Sequence, residues 1–427
     1  MKLKRLTLSL LLIAVVAGVH GQEVMRLSLD QAQQYALTHN QTMKNASLDV
    51  KKAEAERWKT LSTMLPQVKA GFDYQNMCGY EMKMSAFTIP MDPTGTYSLT
   101  ASVALTGSQI VGTMLQGIAV RMSDISRQQT EQQTRSQVKN IYVSILVMEQ
   151  TVGLLDSSLA NLERLAATSQ ASVDVGAAEQ VDADKLQVQV ASMKSSINST
   201  RRSLQMLRNS MLLQLGAGVG TQVELTTSIE DIMNVEAAAS LLGQQFDISR
   251  NYSYQLLQQN EKLARHNVAM AWMDFTPTLS AYYQYSKKVY FGDEGMNMTP
   301  PNMIGASVSL PLFQSGTRAF NVKSAKIALQ ETRNSKRQAE DGLRVQYNQL
   351  CYDLATALET YDIQSRNLDV SRRVFDNVAE KYKFGRASSL EVTNASTDII
   401  SAQSNYIQAV MSVVSAQISL ENLLNVE

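Results

Sequence analysis

Residues 138–166 read Val-Lys-Asn-Ile-Tyr-Val-Ser-Ile-Leu-Val-Met-Glu-Gln-Thr-Val-Gly-Leu-Leu-Asp-Ser-Ser-Leu-Ala-Asn-Leu-Glu-Arg-Leu-Ala. Within them Val138, Ile141, Ile145, Met148, Val152, Leu155, Leu159, Leu162 and Ala166 alternate at spacings of three and four, the a and d positions of a heptad repeat. Such a seam needs a partner helix. The Pro-free tract around it runs from Gln109 to Val175; as one helix it would be about 100 Å long, far more than a compact globule can contain. Val175-Gly176 is a helix-stop signal. A second seam then returns through Leu186, Val190, Met193, Ile197, Thr200, Leu204, Leu207 and Met211, which predicts an antiparallel helical hairpin over 109–215 with its tip near 176.

The N-terminus carries Lys2, Lys4 and Arg5, an apolar run from Leu6 to Val19, and a cleavage position after Gly21, which predicts a signal peptide over 1–21. No Cys follows it to accept a lipid, and no later run approaches the ~20 apolar residues of a membrane helix. Any crossing of a membrane is therefore by a β-barrel. Lys plus Arg and Asp plus Glu balance at 39 each and are scattered, which argues against a nucleic-acid partner. Cys78 and Cys351 fall at distant points of the expected layout, so no disulfide within the chain is expected. His20, His39 and His266 are scattered, and neither a metal centre nor a cofactor is expected.

The mature chain reads twice. A helix from Asn40 to Met64 ends at Leu65-Pro66 and is followed by a segment through Tyr74; a helix from Asn251 to Phe275 ends at Thr276-Pro277 and is followed by a segment through Tyr285. The two match without a gap, and Gly176 is echoed by Gly385. A second seam pair flanks Gly385. Leu343, Tyr347, Leu350, Leu354, Ala357 and Tyr361 lead down, and Ile399, Ala402, Tyr406, Ala409, Val413, Ala416 and Leu420 lead back. The expected organisation is a first repeat over 22–215, an equatorial insert over 216–249 beside Leu27 to Thr38, and a second repeat over 250–427 with a hairpin at 315–424.

Each repeat also holds two segments of strand period, about 67–77 and 97–107, then 278–290 and 302–313. Val68, Ala70, Phe72 and Tyr74 alternate with polar residues, as do Leu99, Ala101, Val103 and Leu105, then Leu279, Ala281, Tyr283 and Tyr285, then Ile304, Ala306, Val308 and Leu310. This pattern suits outer-membrane barrel strands with a wet lumen, and it also suits a soluble sheet capping the helices. Tyr74, Tyr80, Tyr97, Tyr282, Tyr283, Tyr285 and Tyr290 favour an interface belt. In the barrel reading Val103 and Val308 face lipid near mid-strand, while Ser102 and Ser309 face the lumen. Four strands cannot close a barrel alone, since single-chain barrels start at about eight. Three copies would supply about twelve strands and bundle the hairpins into a tube.

With Leu27-Ser-Leu-Asp-Gln-Ala, Ala36-Leu37, Asn40, the two helix-Pro-strand junctions, and Tyr382-Lys-Phe-Gly-Arg-Ala-Ser-Ser-Leu-Glu-Val, the chain resembles the TolC-like outer membrane efflux proteins over nearly its whole mature length. The fold class expected is mainly α with a membrane β-barrel portion, internally duplicated, closing as a trimeric 12-stranded barrel above an α-helical barrel. The resemblance implies a homotrimer in the outer membrane of a Gram-negative cell, in contact with its lipid and reaching into the periplasm. It also implies docking to a periplasmic adaptor (membrane fusion) protein and an inner-membrane transporter.

On the same resemblance the tips Val175, Gly176, Ala177, Phe384, Gly385, Arg386 and Ser388 are adaptor-docking candidates. Asp182 and Glu391 each lie six residues past a tip glycine, where related channels carry pore-facing acids. Two readings stand for them, a charged ring at the constriction and a solvated helix surface. Tyr382 matches a latch position, but Arg386 is one place early for the basic partner, Ala387 takes that place, and Asn394 stands where a second acid is expected. No catalytic grouping or phosphate loop is visible, so no enzyme is expected. The competing class is a soluble periplasmic coiled-coil or adaptor-like protein; against it stand two hairpins and four alternating segments in one chain.

Overall fold

A computed structural model describes residues 24–83, 88–218, 220–232, 234–291 and 300–426, so the expected signal peptide lies outside the described residues. In chain order the elements are β1 (Val24–Leu27), α1 (Leu29–His39), α2 (Gln41–Ser62), β2 (Gln67–Gln75), β3 (Glu81–Lys83), β4 (Thr88–Pro90), β5 (Thr94–Leu105), α3 (Gly107–Asp174) and α4 (Gln180–Leu215). There follow β6 (Gln222–Leu225), α5 (Ile229–Ile232), α6 (Val235–Leu241), a 3-10 turn at Ile248–Arg250, α7 (Tyr252–Met273), β7 (Thr278–Tyr290), β8 (Asn302–Ser309), α8 (Thr317–Lys383) and α9 (Ser389–Leu424). The series helix, two sheet strands, long helix, return helix thus occurs twice. Helices α3 and α8 have 68 and 67 residues, and α4 and α9 have 36 each.

The heptad seam holds α3 to α4. Leu155, Leu162, Leu165 and Ala166 bury against Leu186, Met193 and Ile197. A single seam does not account for α3, however. Val143 and Val147 on another face pack with Val410, Val414 and Ile418 of α9, which ties the two hairpins together. With two buried faces, α3 and α9 carry longer apolar stretches than a single seam requires.

Across the molecule α2 packs on α3, α3 on α7 and α7 on α8; further from the sheet α4 packs on α3, α3 on α9 and α9 on α8. The sheet order is β2-β5-β7-β8. Every layer therefore begins with an element of the first half at one edge and ends with one of the second half at the other.

Two asparagines splice the return helices to those that continue toward the sheet. Asn40 Oδ1 accepts from the Thr42 N–H at 2.7 Å, capping α2, while its Nδ2 donates to the Gln214 carbonyl at 2.7 Å, capping the end of α4. Asn251 repeats this, accepting from the Tyr254 N–H and donating to the Leu423 carbonyl, both at 3.2 Å. Each return helix ends on a left-handed residue, Gly216 at φ 71° and Asn425 at φ 52°. At Gly216 a Cβ would lie 2.4 Å from the His39 carbonyl oxygen, so only glycine fits. Where α7 meets α8, Glu261 receives Arg265, Arg333 and Lys336. Hydrogen bonds from Arg265 first and then Lys336 outweigh burial and hold its carboxyl down at about 2.

The insert forms a collar. β1 pairs in parallel with β6, and the fully buried Tyr142 of α3 pins both, donating to the Leu27 carbonyl at 3.0 Å and accepting from the Thr226 and Thr227 N–H groups. Several boundaries differ from the expected ones. The last sheet strand, expected to 313, stops at Ser309, because Pro311 has no N–H for a ladder and its carbonyl is taken by Arg318. β5 starts at Thr94 rather than 97, paired with Gln75 and Tyr290, and stops at Leu105, because Thr106 caps α3. The hairpin β3–β4 was not expected.

Replacing Asn40 or Asn251 by Ala removes a cap and strands a buried helix-end carbonyl. Each change is expected to cost roughly 1 to 3 kcal/mol, with Asp, which keeps only the acceptor, in between. Denaturant unfolding monitored by circular dichroism measures this; equal stability of all three forms at either site would contradict the splice.

Candidate functional site

The sheet register collects the alternating residues onto two faces. Val68 pairs with Ala101, Ala101 with Tyr283 and Tyr283 with Ile304, while Leu105 pairs with Leu279 and Leu279 with Val308. On the other face Lys69 pairs with Thr100 and Thr100 with Gln284, and Ser280 with Ser307. The Ser280 and Ser307 hydroxyls lie 2.7 Å apart. A soluble antiparallel sheet buries its apolar face. Here that face is open, with Ile304 84% exposed, Val308 69% and Val68 65%. Phe72 and Tyr97, their rings 4.7 Å apart, and Tyr74 against Phe291 lie at the end of the sheet away from the helices.

β2 and β8 are the sheet's edges, each hydrogen-bonded on one side only within this chain. β2 is exposed at all nine residues. β2 and β7 run away from the helices, β5 and β8 toward them, so β8 and β2 are antiparallel partners in sense. Val103 and Val308 lie on the apolar face, yet close to the helix end rather than at mid-strand; Leu99, opposite Tyr285, is the mid-strand residue of that face.

The other pole is formed by the two tips, and they share one geometry. Gly176, at φ 72°, donates to the Val173 carbonyl, and the Ala177 N–H reaches back to Ser172; Gly385, at φ 68°, donates to Tyr382, and the Arg386 N–H reaches back to Lys381. These are paired helix-terminating motifs that need a left-handed residue. Each leaves an apolar side chain in solvent just before the glycine, Val175 at 79% exposure and Phe384 at 72%.

Asp182 and Glu391 are both engaged. Asp182 accepts a hydrogen bond from Ser389 of the other hairpin and sits 3.6 Å from Lys185. Glu391 accepts from the Ser388 N–H at 2.8 Å while the Ser388 hydroxyl accepts from the Glu391 N–H at 3.2 Å, a capping box that starts α9. Tyr382 packs, partly buried, against the cluster of Leu162, Ala379 and Val392, and Asn394 is exposed. Reading the sequence missed Ser389 and Lys185. The Ser388-x-x-Glu391 box was legible there, but the tie between Asp182 and Ser389 has no local signal. Among the described residues no cluster of three His, Cys, Asp or Glu side chains could hold a metal. Cys78 and Cys351 are free thiols.

The fold is a four-stranded sheet with open edges carried on two paired coils. Residues 234–426 match the family model described as outer membrane efflux protein. The outer membrane efflux protein BepC of Brucella suis biovar 1 (strain 1330) is 21% identical over 300 residues. That match takes in 68% of this chain and spans 63% of the relative's length. Among solved structures, CusC superposes with a TM-score of 0.77 at 16% identity, covering 93% of this chain and 92% of that one. The outer membrane protein VceC of Vibrio cholerae superposes at 0.73 and 14% identity, covering 93% and 95%. Residues 234–426 thus resemble the outer membrane efflux proteins, and the chain shares the fold of these solved channels.

Leu99→Lys, on the apolar face at mid-strand, is expected to cost roughly 2 to 4 kcal/mol or to block assembly, while Thr100→Lys on the polar face is tolerated. Folding yield in lipid vesicles measures both, and equal sensitivity would mean that the two faces are assigned the wrong way round.

Proposed function

We propose that the protein is the outer-membrane exit duct of a tripartite efflux or type I secretion system, passively conducting substrates delivered by an inner-membrane transporter through a periplasmic adaptor. The supporting observation is the shared edge order of the layers. β2, α2 and α4 lie at one edge, with β8 and α8 at the other. Both edges carry apolar residues without a partner in the chain, among them Val188, Met206 and Leu213 on α4 and Val345, Tyr352 and Val370 on α8. One association satisfies them all: three copies, β8 of each beside β2 of the next and α8 beside α2 and α4. This gives a closed barrel of about twelve antiparallel strands over a helical tube. The repeats 22–215 and 250–427 would then be a duplicated unit, alternating six times around the axis.

In this reading the lipid-facing sheet anchors the duct and the collar encircles it. The exposed Val175-Gly176-Ala177 and Phe384-Gly385-Arg386 tips, with Ser388, dock the adaptor. Asp182, Glu391, Asn394 and Tyr382 line or latch the constriction, and Ser389 is the tie between the two hairpins there. Energy comes from the transporter. A soluble adaptor-like role is the weaker reading, because water would face an apolar sheet side and two open edges.

Asp182→Asn with Glu391→Gln tests the constriction. Asn keeps an acceptor for Ser389 and Gln keeps the capping box, so the fold is retained while about six carboxylates leave the opening. Cation selectivity and block by multivalent ions in planar bilayers are expected to fall. Tyr382→Phe keeps the ring packed against the Leu162, Ala379 and Val392 cluster and removes only the hydroxyl that a latch to a neighbouring copy would use, about 1 kcal/mol, and should favour the open state without altering selectivity. Wild-type reversal potential and ion block in the double variant would reduce the acidic pair to a solvated surface. No conductance from any form would remove the channel itself.

A further inference from the structure

We propose that a cavity enclosed by α3, α8 and α9 binds flat aromatic cations. It lies roughly 25 Å along the coils from the tips and has a volume of about 380 Å³, within the range of small-molecule clefts. The residues that meet there explain the gap. α9 packs on both α3 and α8, and these two face each other across it. On the cavity side α3 presents Ser157, Ser158 and Asn161 and α8 presents Ser365, side chains too short to close the space. Both α3 hydroxyls turn back onto their own helix, donating to the Gly153 and Leu154 carbonyls.

The lining has three parts. Leu154, Leu368, Phe375 and Ile399 supply an apolar floor, with the Tyr406 ring beside it. Asp369 and Asp376 stand on one face of α8, two turns or about 10 Å apart. Among the described residues neither carboxylate has an ion-pair partner, and Arg372 between them bonds to neither. No other charged residue lines the cavity, so it holds an excess of one negative charge. At its inner end Gln403 of α9 is 4% exposed, and its Oε1 has no hydrogen-bond partner. A buried acceptor without a donor is costly. A half-turn about χ3, a soft two-fold torsion, presents it to the cavity, where an N–H of the guest supplies the donor. The three parts together call for an aromatic body, a positive charge and an N–H group. Val370 and Val374, at the open edge of α8, lie on the opposite side of that helix by its 3.6-residue period, so a neighbouring copy at that edge leaves the cavity uncovered. The site does not rest on the exit-duct reading.

The test is equilibrium dialysis of the full chain in non-ionic detergent against ethidium, which is flat, cationic and carries N–H groups, with protein-free micelles as reference. Saturable uptake near one ethidium per chain is expected, and no saturable uptake of the anion 8-anilinonaphthalene-1-sulfonate. Asp369→Asn with Asp376→Asn changes charge but not shape at two exposed positions and should weaken ethidium binding at least about fivefold. Ser157→Phe, also at an exposed helix position, fills the cavity from its rim and should abolish binding. No saturable uptake of ethidium, equal uptake of the anion, or unchanged affinity in either variant would each overturn the proposal.

Discussion

Backbone N–H and C=O groups cannot be left open in hydrocarbon, and in the membrane reading proposed above the four-stranded sheet has two edges to satisfy, β2 and β8. Most other features of the molecule are consistent with that constraint. An even number of strands brings the edges round with opposite sense, so copies can close antiparallel. The same constraint continues into the coils, where the polypeptides at the sheet's edges are also those at the edges of the helix layers. The exposed apolar residues of α4 and α8 lie on these outer helices, and the more heavily buried α3 and α9 lie between them.

Length is the second constraint. In each hairpin one continuous helix descends, 68 residues in α3 and 67 in α8, and the return is assembled from two shorter helices. Such a return is only as stiff as its joint. Asn40 and Asn251, each 7% exposed or less, supply that joint by using one side chain to finish one helix and start another. Each joint stacks helices distant in sequence, α2 on the end of α4 and α7 on the end of α9, so the chain leaves α4 at Gly216, crosses the collar and re-enters as α7 in line with α9, with Tyr142 holding the collar strands against α3.

Much of this was legible because the signals are periodic. The seam through Val138, Ile145, Leu155 and Leu162 is buried where the heptad placed it, and the alternating segments pair with their apolar residues on one face. What escaped was either a second period or a non-local contact. Val143 and Val147 lie off the first seam and serve a different helix, which a one-seam reading does not register. Leu310 and Leu312 continue the alternation beyond the end of β8 at Ser309, but Pro311 between them cannot join a ladder. At the tips the glycines and the Ser388-x-x-Glu391 box are local and readable. The meeting of Asp182 with Ser389 depends on two hairpins coming together and leaves no mark in either segment.

The central claim, closure by pairing β2 of one copy with β8 of the next, has a direct test. If the two repeats are equivalent, the Ala281–Val103 pair inside the chain predicts Ala70 opposite Val308 of the neighbouring copy. Cysteines placed at Ala70 and Val308, with Cys78 and Cys351 replaced by serine, should oxidise in outer-membrane preparations to a covalent trimer on denaturing gels. A chain that stays monomeric under oxidation there, while the same pair moved to Ala281 and Val103 cross-links internally, would contradict the account.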